Sequence, residues 1–240
     1  MNFLIKDWLR RLKNNFLDAI FPRYCAGCEK EGKLLCGDCL SKIKLLEDFF
    51  CPNCKKSSVF GRVCEKCAGK MEIDGLISAV QYGIPAVRKA IYAWKYGSVK
   101  EMGEVLGNLF LRYMEKHKTI FENFGGAVIQ PIPLHKRRLL ARGFNQAEFL
   151  ADVLCRSLGY KKIDVLARTK STVPQSELND EERLENLNYA FQLRGSCELK
   201  GKMVILVDDV FTSGATMNEC AKLLKSAGAK EVWGVTLARG

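Results

Sequence analysis

A chain of 240 residues, 48% hydrophobic and 27% charged, can close a substantial core over one or two domains, which excludes general disorder. No stretch approaches the roughly 18 uninterrupted apolar residues of a spanning helix. Lys6, Asp7, Arg10, Arg11 and Lys13 interrupt the N-terminal apolar residues, so neither a transmembrane segment nor a secretory signal is expected and the reading is cytoplasmic. The formal charge of +11 favours anionic partners, although a solvated basic surface accounts for it equally well.

Residues 3–20 place Leu4, Trp8, Leu12, Phe16 and Ile20 at a four-residue spacing, with Leu9 and Leu17 beside the stripe. This predicts an amphipathic helix in a first segment, 1–22, that ends at Pro22. Its apolar face has three possible uses: docking on the rest of the protein, lying on a membrane surface, or meeting a partner.

Four Cys-x-x-Cys pairs follow, Cys25/Cys28, Cys36/Cys39, Cys51/Cys54 and Cys64/Cys67. Each pair can turn two thiolates toward one point, and two turns complete a tetrahedral zinc shell with no position left for water or substrate. Residues 23–70 are therefore expected to form a double zinc ribbon holding two structural Zn2+ ions. The spacing leaves open whether pairs combine in order or across the repeat. Leu34, Leu35, Leu40, Ile43, Leu45, Leu46, Phe49 and Phe50 are too few to close a core unaided, so metal is expected to supply the missing stability. Four thiolates and one Zn2+ sum to −2 per site, which lowers the net charge to about +7 and puts the basic excess in residues 76–240. Cys155, Cys197 and Cys220 are isolated and receive no chemistry.

From residue 76 onward, strand-like runs at 76–82, 127–132, 202–208 and 231–237 alternate with helical patterns. Ala147, Leu150, Ala151, Leu154 and Leu158 form one such pattern, and Cys220, Leu223, Leu224 and Ala227 another. That alternation predicts an α/β domain over 76–240 with a mainly parallel sheet flanked by helices. The polar run 168–182 reads as a long loop, with Asn179 and Glu182 spaced as a helix cap.

The apolar run Met203 to Val207 ends in Asp208 and Asp209, and Thr212, Ser213, Gly214, Ala215 and Thr216 then form a small hydroxyl-bearing turn before a helix. Amides at a helix N-terminus and neighbouring hydroxyls suit a phosphate, while paired carboxylates accept hydrogen bonds from ribose hydroxyls. The Gly-Lys-Ser/Thr ending of a Walker-type loop is missing. His135 suits a structural role better than that of a general base. Tyr92, Trp94 and Tyr96 suit either packing or the stacking of bases.

The segment 203–216 resembles the phosphoribosyl-pyrophosphate (PRPP) motif of type I phosphoribosyltransferases. Together with the stretches 131–148 and 168–191, the Lys95-Tyr96-Gly97 element and the cysteine pairs, it makes nearly the whole chain similar to the ComF/GntX family of competence-associated proteins. The resemblance implies a type I phosphoribosyltransferase-like fold that binds PRPP with Mg2+, the cation held by pyrophosphate oxygens. It gives Asp208 and Asp209 to the ribose hydroxyls and the turn from Thr212 to Thr216 to the 5′-phosphate. It makes 131–146 a loop near pyrophosphate, with Lys136, Arg137, Arg138 and Arg142 as candidate contacts, and places Arg168, Thr172 and Gln175 on a mobile loop. It also implies a part in DNA uptake during natural transformation, in the handling of incoming single-stranded DNA. Two alternatives stay open: an active phosphoribosyltransferase with an unidentified base or amine acceptor, and a zinc-ribbon adaptor for a DNA-uptake motor protein regulated by PRPP.

Overall fold

The computed structural model describes residues 23–97, 101–170, 190–195 and 199–240. The stripe at 3–20, Thr172, Gln175, the Asn179/Glu182 cap and Cys197 lie outside these residues. Seven strands are described: β1 (Gly75–Gln81), β2 (Val128–Pro131), β3 (Lys161–Lys162), β4 (Leu166–Arg168), β5 (Phe191–Leu193), β6 (Met203–Phe211) and β7 (Glu231–Arg239). All four strand-like runs become strands of one sheet ordered β1-β7-β6-β2-β3, in which every neighbouring pair is parallel. β4 and β5 pair antiparallel apart from it. The sequence reading does not mark β3, β4 and β5, because two or three residues hold too little periodicity to register.

The sheet is buried on both faces, as the apolar runs of β6 and β7 require. Strand alternation sends Ile205 and Val207 into a core with the helices Pro85–Tyr96, Met102–Lys116 and Gln146–Leu158. Val204 and Leu206 meet the helix Ala215–Ser226 and the β4–β5 pair on the opposite face. Trp94 is 1% exposed and packs its ring 6.0 Å from Phe144 and 5.7 Å from Phe149, so base stacking is excluded for it.

β6 runs past its expected end because Val210 and Phe211 still pair with Ala238 and Arg239 of β7. Pairing with β2, in contrast, stops at Pro131 opposite Val207. Beyond that point the two strands diverge: β6 connects toward β7 over one face, and β2 connects toward β3 over the other. A crevice opens at the carboxyl ends of the strands where connections reverse direction, and Asp208 and Asp209 stand at its edge.

Residues 23–70 do not stand apart. Leu46 N donates to Ala79 O at 2.9 Å, Val63 N donates to Asp74 O at 2.9 Å, and Leu45 bridges Val80, so ribbon backbone lies along the outer side of β1. Leu35 and Ile43 are buried in the same core as Ile77 and Trp94. The expectation that metal alone makes up the missing stability is therefore corrected: the ribbon's apolar side chains also close over the larger domain. A count of leucines could not show this, since the surface they cover lies tens of residues away.

Candidate functional site

The four sulfurs of Cys25, Cys28, Cys36 and Cys39 lie within 4.8 Å of one another, and so do those of Cys51, Cys54, Cys64 and Cys67. The pairs thus combine in chain order. Four thiolates about 2.3 Å from a zinc ion stand about 3.8 Å apart at tetrahedral angles. The Cys28–Cys36 and Cys54–Cys64 sulfurs, at 3.6 and 3.7 Å, match that edge, so both clusters fit Zn2+. Burial opposes a thiolate at Cys25, but the amides of Cys36, Cys28 and Gly27 overcome it and lower its pKa to about 6. Cys51 falls to about 6 in the same way, against burial, through the amides of Cys54, Cys64 and Asn53. Burial and neighbouring sulfurs push Cys39 up to about 12 and Cys64 up to about 11, a cost that a bound dication removes. With four sulfurs spent on the ion, these sites hold structure and leave no place for substrate.

The second site is a cavity of about 500 Å³ at the crevice. Asp208 and Asp209 both line it, but adjacent strand positions send their side chains to opposite faces. Asp209, 5% exposed, is held by Lys95 Nζ at 2.7 Å from Oδ2. Burial opposes the charge on Lys95, but the carboxylates of Asp209 and Asp208 prevail and raise its pKa. Asp208 accepts from the amide of Asp209 at 2.8 Å. Burial and the Asp209 charge push Asp208 up to about 7, against the pull of Lys95 and Arg168.

After β6 the chain turns at Gly214, whose φ of +83° starts the helix Ala215–Ser226. A Cβ there would lie 2.8 Å from the Phe211 ring and 3.0 Å from Met71 Cε, so glycine is required by both conformation and space. Thr212 and Thr216 line the cavity, with Ser213, Gly214 and Ala215 between them in the turn. The stretch expected to be a loop near pyrophosphate contains a helix, Lys136–Arg142, started by His135, whose Nδ1 accepts from Arg137 N at 3.3 Å. Arg138 and Arg142 line the cavity from this helix, whereas Lys136 and Arg137 are exposed outside its lining. Arg168 reaches the cavity from β4, with its guanidinium 5.2 Å from the Phe191 ring centroid. Burial and the nearby Arg138 lower the Arg168 pKa.

Three residues of this site escape a reading by motif. Lys95 belongs to the Lys-Tyr-Gly element but carries no sign of Asp209 as its partner. Gln146 is buried, with Nε2 donating to Trp94 O at 3.3 Å and Oε1 accepting from Arg142 Nη1 at 2.6 Å. Asn145 donates to Ile132 O at 3.0 Å and caps the helix Gln146–Leu158 by accepting from Ala147 N at 3.1 Å. Only the cap has a sequence signal, an Asn just before an apolar-periodic run.

Comparison with known proteins agrees with both halves. Residues 139–240 match the phosphoribosyl transferase domain, and residues 16–68 match the double zinc ribbon domain. Competence protein F of Haemophilus influenzae is 33% identical over 221 residues, covering 89% of this chain and 90% of its own. Competence protein ComFC of Streptococcus pneumoniae is 28% identical over 85% of this chain and 87% of its own. DNA utilization protein YhgH of Escherichia coli is 29% identical over 83% and 88%. With its two four-cysteine clusters, parallel sheet and strand-end carboxylates in that arrangement, the chain belongs to the ComF family of competence proteins.

Proposed function

We propose that this protein binds PRPP with Mg2+ in the strand-end cavity and serves the uptake and handling of single-stranded DNA. The observation that carries the ligand is the convergence of Asp208, the Thr212–Thr216 turn and three guanidinium groups on one cavity. Asp208 accepts from the ribose hydroxyls, the turn donates to the 5′-phosphate, and Arg138, Arg142 and Arg168 face the pyrophosphate. Asp209 is already engaged by Lys95, so its part is to hold that ammonium at the cavity wall. Mg2+ carried by the pyrophosphate oxygens supplies charge neutralisation. The names of the relatives, two competence proteins and a DNA utilization protein, support the cellular part.

Calorimetric titration of Mg2+–PRPP into the zinc-loaded protein is expected to give saturable heat that Asp208→Asn/Asp209→Asn abolishes. Absence of heat with the intact protein overturns the reading. Binding is further expected to tighten as pH rises through about 7, where Asp208 becomes an acceptor, and Asp208→Asn should remove that component. Stability runs the other way. The folded chain holds the Asp208 proton more firmly than the unfolded chain, whose carboxyl titrates at 3.8, so this contribution is full below about 4 and is lost as pH rises through about 7. Asp208→Asn is therefore expected to raise the urea midpoint at pH 8 while weakening the ligand.

Ile132 and Leu134 give the cavity an apolar side beside the acids, which favours a second reading, an active transferase with room for an acceptor. Release of pyrophosphate in a screen of bases and amines would establish it, and silence across the screen would leave a binding module.

A further inference from the structure

The helix Pro85–Tyr96 buries Val87, Ala90, Ile91 and Trp94, yet leaves two tyrosines in water one turn apart. Tyr92 is 64% exposed and Tyr96 is 55% exposed. Their rings stand 4.9 Å apart at 45°, and both line the mouth of the cavity. The Arg142 guanidinium lies 5.2 Å from the Tyr96 ring centroid. It is fixed there, because its Nη1 donates to Gln146, which is buried and itself tied to the Trp94 carbonyl. Two exposed aromatic faces beside an anchored planar cation present surface that a flat π system covers well.

We infer that Tyr92, Tyr96 and Arg142 form a shelf on which a base of single-stranded DNA stacks at the mouth of the cavity. This rests on the reading above and deepens it by locating the strand. A strand fits better than a free base because the helix that carries Arg142 also presents Lys136 and Arg137 outside the cavity, with Leu140 84% exposed among them. A free base has no charge to offer them, whereas the phosphates of a strand do. Stacking on aromatic side chains and neutralising phosphates on a basic groove are the two means by which proteins hold single strands without regard to sequence.

The test is fluorescence anisotropy of a labelled oligothymidylate with the zinc-loaded full chain at low salt. Tyr92→Ala/Tyr96→Ala is expected to weaken binding at least tenfold, and Tyr92→Phe/Tyr96→Phe to retain it, since stacking needs the ring and not the hydroxyl. Lys136→Ala/Arg137→Ala is expected to flatten the salt dependence by about 0.7 in slope for each phosphate left without its cation. Both tyrosines are exposed, so folding is expected to survive, with zinc content and circular dichroism as the check. The inference is overturned if the intact protein does not bind the oligomer, if the alanine variant binds it as tightly as the intact chain, or if free thymine or adenine binds while the oligomer does not. Calorimetry with Mg2+–PRPP on the same preparation separates the two readings. Tyrosine-dependent oligomer binding without PRPP heat removes the ligand and keeps the shelf, and the converse result removes only the shelf.

Discussion

In the first ribbon, Cys25, Leu35, Cys39 and Ile43 are buried in one core with the helices Pro85–Tyr96 and Met102–Lys116, whereas the second ribbon leaves Val59 and Phe60 73% and 45% exposed. The second ribbon meets the larger domain at the sheet edge, where Val63 N donates to Asp74 O, Arg62 bridges Gly75, and the Arg62 guanidinium pairs with Glu231 at 3.3 Å and lies 5.0 Å from the Trp233 ring centroid. The same ligand set thus does two jobs. In one repeat the metal organises a surface that the rest of the fold needs, and in the other it replaces a core that never forms. The first repeat lies close against the helix Pro85–Tyr96: a Cβ on Gly27 would lie 2.6 Å from Cys39 Sγ and 3.3 Å from Ala86 Cβ. That helix also carries Lys95, so the first four-cysteine knuckle and the strand-end cavity grip the same rod at different places.

The largest expected effect tests this contrast directly. Cys39→Ser should lose one zinc and lower the thermal midpoint of the whole chain, whereas Cys54→Ser should lose one zinc and leave the main unfolding transition nearly in place. Zinc content with calorimetric unfolding reads both, and equal losses for the two variants would break the distinction. Next in size, Ile43→Ala removes a buried side chain from the shared core and should cost about 2–4 kcal/mol. Phe60→Ala, taken from a half-exposed position, should cost under about 1 kcal/mol. Urea midpoints decide between them, and similar costs would mean that the second ribbon is docked as firmly as the first. The smallest effect is expected at the ion pair of Lys89 with Glu29, 2.9 Å apart but open to solvent. Lys89→Met should leave the thermal midpoint unchanged within error, which would assign the grip of the first ribbon to apolar packing and not to charge.

Much of this molecule is legible in its residues, for identifiable reasons. Met203 to Val207 is a continuous apolar run ending in acids, so both the strand and the site at its end can be read locally. The eight cysteines announce two metal sites because tetrahedral ligation imposes short spacings. What stays hidden is long-range. Nothing near Lys95 indicates that it crosses the cavity to Asp209, and nothing near Leu46 indicates a hydrogen bond to Ala79. Trp94 and Tyr96 look alike as aromatic residues two positions apart, yet helix geometry buries the first and exposes the second. Thr172 and Gln175, which the resemblance puts on a mobile loop, lie outside the described residues.

The ribbon backbone along β1 has a consequence for cells short of zinc. β1 is the outermost strand on its side of the sheet, and its Gly-Leu-Ile-Ser-Ala-Val-Gln sequence holds no charge and no proline. Without folded ribbons, its unpaired amides and carbonyls would offer a template for strand addition by a second chain. Metal starvation should therefore remove this protein by aggregation before it unfolds the strand-end cavity, so that zinc supply sets the soluble yield.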